Sequence, residues 1–126
     1  MTSRTITLNS TIYGTINCQN NVNLTQLSMK PTLVTSNHIV ATTEYLIYVD
    51  TVSATGNVTI TLPLASSVSN QTFYVVDATG ESNIKPIKIL ASGSDLICGQ
   101  SSIIVSNSYT SLTLFAYGPK NIYSIL

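Results

Sequence analysis

Hydrophobic and polar side chains alternate along much of the chain. Val58, Ile60, Leu62 and Leu64 fall on one face, with Thr59, Thr61 and Pro63 between them. Leu112, Leu114 and Ala116 alternate with Thr113, Phe115 and Tyr117. Ile6 and Leu8 alternate with Thr5 and Thr7, and Val22, Leu24 and Gln26 with Asn23, Thr25 and Leu27. A period of two sends successive side chains to opposite faces of a strand. Turn formers interrupt the pattern at Gly14, Asn20-Asn21, Lys30-Pro31, Thr55-Gly56-Asn57, Thr79-Gly80, Ser92-Gly93-Ser94, Cys98-Gly99 and Gly118-Pro119. The pattern predicts strands at 4–8, 11–17, 21–27, 31–35, 44–50, 57–62, 72–78, 86–91, 95–98, 102–106, 110–117 and 121–126. Many short strands with frequent turns belong to an all-β sandwich or barrel.

Two segments read less simply. Ile39, Val40, Thr43, Leu46 and Ile47 fit helical spacing after a cap at Ser36 or Asn37. Tyr45, Ile47, Tyr48 and Val49 favour a strand, so the second half is expected to be extended and 38–43 is left open. Residues 64–70 have room for one helical turn. An internal echo links Tyr48-Val49-Asp50, followed by Val58 and Ile60, with Val75-Val76-Asp77, followed by Ile87 and Ile89. It suggests two similar hairpins. The texture changes near residue 38. The first 37 residues are rich in Thr and Asn and hold one aromatic, Tyr13. The expected organisation is an arm or stalk at 1–37 and a head domain at 38–126.

Composition sharpens this picture. The length of 126 residues suits one domain. Hydrophobic residues make up 44% and charged residues only 8%, against about a quarter in ordinary soluble domains. The polar surface must come from the 18 Thr, 17 Ser and 11 Asn, which suit strand faces and turns. Five basic and five acidic residues give no net charge and no basic patch, so neither nucleic acid nor an anionic membrane is an expected partner. No apolar run reaches the length of a signal peptide or a membrane span, the longest being Tyr45 to Val49, so neither a secretory leader nor membrane insertion is expected. Cys18 and Cys98 are expected as buried free thiols rather than a disulfide.

The residues that could carry chemistry do not assemble into a motif. The single histidine, His38, has no nucleophile-elbow sequence to serve and reads as a loop or surface residue. It is the one side chain whose ordinary titration falls between pH 5 and 8, so stability should change little there. No CxxC, HxxxH or HxH spacing offers a metal site. The acids are Glu44, Asp50, Asp77, Glu81 and Asp95. Asp50, Asp77 and Asp95 stand at strand ends beside glycine loops, where aspartate forms turns through its side chain. A glycosidase would need two carboxylates held about 5–10 Å apart across a substrate. Ser92-Gly93-Ser94 lacks a phosphate-loop pattern. Four glycosylation sequons, at Asn9, Asn23, Asn57 and Asn70, are close to the roughly three that chance supplies at this composition. Tyr13, Tyr45, Tyr48, Tyr74, Tyr109, Tyr117 and Tyr123 suit half-buried strand faces, sugar stacking or subunit contacts. No catalytic, cofactor or metal residue is assigned, no cofactor is expected, and the chain is not expected to be an enzyme.

From Glu44 to Leu126 the chain resembles a head module of phage and large-virus fibre and appendage proteins. Leu62-Pro63, Asp77-Ala78-Thr79-Gly80, Ile87-Lys88-Ile89, Ile97-Cys98-Gly99 and Tyr109-Thr110-Ser111-Leu112 occupy the places of that module's strand and turn motifs. Two positions depart from it. Ile122-Tyr123 stands where an aromatic, often Trp, is usual, and Cys98 where a polar residue is common. The resemblance implies an antiparallel β-sandwich of jelly-roll type, usually a homotrimer, at the virion surface. Its expected partners are other virion proteins and a host receptor or glycan. It carries over no catalytic residue and no receptor-binding residue. A minor capsid or decoration protein, with residues 1–37 as its shell-binding arm, is the alternative that the same module allows.

Overall fold

The structure, a computed structural model, describes residues 28–126 together with Gln19. The strands expected at 4–8, 11–17 and 21–27, with Tyr13 and Cys18, lie outside the described residues. Every later expected strand is present. They are β1 (Pro31–Val34), β3 (Leu46–Val49), β4 (Val58–Thr61), β5 (Thr72–Asp77), β6 (Ile87–Leu90), β7 (Leu96–Ile97), β8 (Ser102–Val105), β9 (Ser111–Tyr117) and β10 (Ile122–Ile125). The open segment supplies a two-residue strand, β2 (His38–Ile39), rather than a helix. Asn37, a candidate helix cap, instead accepts the Thr59 N–H on its Oδ1 at 2.8 Å. The helical turn expected within 64–70 is a 3-10 turn at Ala65–Ser67.

The described residues are all-β, in two sheets. One has six strands in the order β1-β3-β5-β9-β10-β7, and the other has four in the order β2-β4-β6-β8. Strand direction corrects the expected antiparallel sandwich. The ladders β1·β3, β3·β5, β2·β4, β4·β6 and β7·β10 are parallel. Among the described strands, only the β5·β9, β9·β10 and β6·β8 ladders are antiparallel. A jelly roll is built of antiparallel Greek keys, so these ladders do not wind as one. The physical reason lies in the loops. Residues 50–57 and 78–86 carry turn formers that read as hairpin signals, yet each takes the chain from one sheet to the other. Strands two apart in sequence therefore lie side by side in the same direction. Alternation determines which face is buried; it does not determine the partner.

The internal echo is thus real, but as two successive rungs of a stack and not as two hairpins. The register pairs Tyr48 with Val76 and Val49 with Asp77, one residue away from the match of the two Asp residues. Asp77 consequently takes an inward position, while Asp50 follows the end of β3. A one-residue difference in a period of two is a change of face.

The inner faces of the sheets share one hydrophobic cluster. Ile47, Val49, Phe73, Val75 and Leu114 enter it from the larger sheet and Val58, Ile60, Ile87 and Ile89 from the smaller. Fully burying side chains of this kind contributes roughly 1.5–3 kcal/mol each. Tyr123 is buried in the cluster, its ring edge-on to Phe73 at 6.1 Å, and its hydroxyl donates to the Pro63 carbonyl at 2.6 Å. Burial, with the nearby charge of Asp95, pushes that hydroxyl's pKa up. β1 pairs along its length with β3, so Pro31–Val34, expected with the arm, belong to the larger sheet. No helix among the described residues is long and apolar enough to cross a membrane.

Candidate functional site

Two of the three acids expected to form turns, Asp50 and Asp77, do so, and at one corner they tie three loops together. Asp77 is buried. Its Oδ1 accepts the Thr51 hydroxyl at 2.7 Å and the Gly80 N–H at 2.9 Å. Its Oδ2 accepts the N–H groups of Ser82 at 3.1 Å and Tyr109 at 3.0 Å. A carboxylate has about four acceptor directions, so all are occupied. Burial alone would raise this carboxyl, but the hydrogen bonds from Thr51, Ser82, Gly80 and Tyr109 outweigh it and hold the pKa down to about 2. Thr51 in turn accepts the Glu81 N–H at 2.8 Å. Asp50 accepts the Ser53 N–H and the Thr79 hydroxyl, each at 3.0 Å. These bonds from Ser53, with that from Thr79, lower the Asp50 carboxyl. Lys85 donates to the carbonyls of Thr51 and Val52 at 2.9 and 3.0 Å and pairs with Glu81 at 3.1 Å. The corner is a dense set of staples between 50–57, 78–86 and 106–110. Asp77 has no lone pair left for a substrate proton.

Tyr109 completes the corner. It holds a positive φ of 61° that a bulky residue rarely adopts. Its ring lies against Gly80, also at positive φ (88°), so closely that a Cβ there would run into it. The exposed ring shields the turn whose N–H groups Asp77 collects.

The remaining candidates are scattered. Asp95 is buried and accepts the Ala65 N–H at 2.7 Å, holding the start of the 3-10 turn. His38 lies on β2, half-buried rather than in a loop, with Nε2 3.1 and 3.0 Å from the two carboxylate oxygens of Glu44. Burial raises the Glu44 carboxyl, and the Ala41 N–H, Thr32 and His38 more than offset it, leaving it lowered. Cys98 is a free thiol and, against expectation, exposed, because it occupies a tight turn at φ 48° after β7. No group of three or more His, Cys, Asp or Glu converges among the described residues.

The outer face of the six-stranded sheet is the feature that the strand pattern did not bring out. The registers place Leu33, Tyr48, Val76 and Ser111 in one row across it. Leu46, Tyr74 and Thr113 form the next row, then Thr72, Phe115 and Ser124, then Tyr117, Ile122 and Leu96. No charged residue stands at any of these outward positions. Leu33 is 68% exposed, and Tyr48, Tyr117 and Leu96 are also exposed. Three of the seven tyrosines stand here. The signal was present in the sequence: strands 44–50 and 72–78 are apolar on both faces, which a strand with one wet face is not. The outer face of the smaller sheet differs. Lys88 stands in its middle, between Thr59 and Ile104.

Neither the protein-family models nor the curated proteins compared with this chain include a match.

Proposed function

We propose that this chain is a structural module of a virion appendage, a homotrimeric fibre or spike head that serves attachment to the host surface, with glycans as candidate receptors. The observation that carries the reading is the uncharged outer face of the six-stranded sheet. Strands about 4.8 Å apart and about 3.3 Å per residue give such a face a footprint on the order of 400 Å². That falls within the range of the largest apolar patches on monomers, which are often functional. A face with hydroxyls, tyrosines and aliphatic groups and no ions can be buried between subunits without desolvating a charge. A three-fold arrangement brings three copies of this face around one axis. The resemblance of residues 44–126 to fibre-head modules supports the same reading, as does the corner, where the carboxylates serve the fold.

Light scattering on the eluting protein tests it. A trimer of 13.5 kDa chains has a mass of 40.5 kDa. A monomer would sink the proposal and favour a minor capsid or decoration protein that becomes oligomeric only on its shell.

A further inference from the structure

The stapled corner also turns an aromatic ring to solvent. Tyr109 is 71% exposed, more than any other tyrosine among the described residues. Among those residues it is the one aromatic at a positive φ; Asn70 and Asn121 are of the type that this conformation favours. The ring is held. A Cβ at Gly80 would meet the ring's Cζ, Cε2 and Cε1 first, so one face, toward the hydroxyl end, covers the glycine. The opposite face is open. The segment that carries the ring is tied down as well. Asp77 accepts the Tyr109 N–H at 3.0 Å, and the Asn107 carbonyl accepts the Ser82 hydroxyl at 2.8 Å and the Thr110 N–H at 3.2 Å. The Ser108 hydroxyl donates to Asn83 Oδ1 at 2.9 Å, so the amide N–H groups are what the exposed Asn83 side chain offers to a ligand. A bulky residue kept in a sparsely populated conformation, with most of its surface in water, points to a role outside the fold.

We propose that the open face of Tyr109 is a stacking platform for one neutral pyranose of a glycan, with the amides of Asn83 and Asn107, on the same two loops, as hydrogen-bonding partners for its hydroxyls. One face of a pyranose chair is lined by C–H groups and its rim by hydroxyls. An aromatic face matches the first, and uncharged amides match the second. Charge argues against other occupants of a single ring. The three loops of the corner hold one cation, Lys85, and its ammonium is engaged by the carbonyls of Thr51 and Val52 and by Glu81. A nucleotide stacked on Tyr109 would meet no free cation in these loops for its phosphate. A protein partner needs a contact of about 800 Å² with an apolar centre, whereas the ring is flanked by the exposed, polar Asn107, Ser108 and Asn83. The loops are already tied to one another, so a small ligand would have little left to order. The inference deepens the attachment reading and rests on it for calling the sugar part of a host receptor; stacking itself does not require the trimer.

The full-length, isotope-labelled chain tests this by magnetic-resonance titration with the methyl glycosides of glucose, mannose, galactose and N-acetylglucosamine. At least one should shift the amides of Gly80, Asn83 and Tyr109 saturably, in the millimolar range, and leave that of the buried Leu114 in place. Tyr109→Phe keeps the ring and should bind within about threefold of the wild type. Tyr109→Asn removes the ring at a φ that asparagine accepts, so its unfolding midpoint should not fall, while its affinity for the same glycoside should drop at least about tenfold. If none of the four glycosides moves these amides, or if Tyr109→Asn binds as tightly as the wild type, the platform is overturned. Shifts confined to Tyr48 and Thr113 would also overturn it, moving the sugar to the outer face of the larger sheet and leaving the attachment reading standing. Shifts at Tyr109 in a protein with the mass of a single chain would do the reverse, supporting the platform and sinking the homotrimer.

Discussion

The stapled corner and the outer face of the larger sheet use polar chemistry in opposite ways. At the corner, Asp50, Asp77, Thr51, Thr79, Ser82 and Lys85 are bound to one another and to backbone groups of neighbouring loops. No buried side-chain nitrogen or oxygen among the described residues is left without a partner. On the face, a few strands away, no charge stands at any outward position and the tyrosine hydroxyls are accompanied by aliphatic side chains. Carboxylates at strand ends beside glycine loops read as turn formers in sequence. Here they hold the sheet-to-sheet crossings that make the parallel stack. The face contributes little to the fold of a single chain, and so its composition calls for another explanation. The comparison separates residues whose loss should unfold the protein from residues whose loss should change only what it binds.

The largest expected effect is at Asp77. Asp77→Ala leaves the N–H groups of Gly80, Ser82 and Tyr109 without their acceptor in a buried site. The cost should be on the order of 4 kcal/mol, because each stranded buried donor costs about 1–3 kcal/mol and neighbouring loops relax to recover part of it. Urea titration of the variant measures it, and a loss below about 1 kcal/mol would show that the corner is not held by this carboxylate. Acid acts on the same group more gently. The Asp77 carboxyl is lowered from 3.8 to about 2 in the folded chain. A depressed carboxylate contributes stability that is fully present above the unfolded value and is lost as pH falls through the folded one. Stability should therefore hold steady above about pH 5 and fall by about 2 kcal/mol between pH 4 and pH 2. Asp77→Asn should flatten that part of the profile. A profile as steep in Asp77→Asn as in the wild type would assign the acid sensitivity to other groups.

Much of the fold was legible because alternation is a local property. Each strand expected after residue 30 is present, and the inward set Val58, Ile60 and Leu62 is buried as the pattern required. The turn role of Asp50 and Asp77 was legible for the same reason, since each binds backbone N–H groups of its own loop, whereas the carboxylate of Asp95 reaches the distant Ala65 N–H, which its own neighbourhood does not reveal. Strand direction was not legible. Whether Asp50 to Asn57 closes a hairpin or crosses to a second sheet depends on what lies ten ångströms away. The slip of one residue between the echoing segments, which buries Asp77 and leaves Asp50 at the rim, is a consequence of pairing and invisible in either segment alone. Neither was the face assembled by the sequence, although its ingredients were. Leu33, Tyr48, Val76 and Ser111 are far apart in the chain and share a row only through three ladders.

The finest test of the comparison changes one residue on each outer face. Tyr48 is 40% exposed, so Tyr48→Asp should alter the stability of one folded chain by no more than about 0.5 kcal/mol. In an assembly that buries this face, the same substitution places an unpaired carboxylate among aliphatic and aromatic side chains, a change that breaks contacts between subunits. The mass in solution should then fall from that of a trimer to that of a single chain, with the unfolding midpoint of the dissociated chain nearly unchanged. Lys88→Asp reverses the charge on the smaller sheet's outer face and should leave the mass as it was. A Tyr48→Asp protein that remains trimeric would show that the subunits meet elsewhere. If Lys88→Asp dissociates the proposed trimer instead, the smaller sheet is the contact, and the uncharged larger face is left for the proposed receptor.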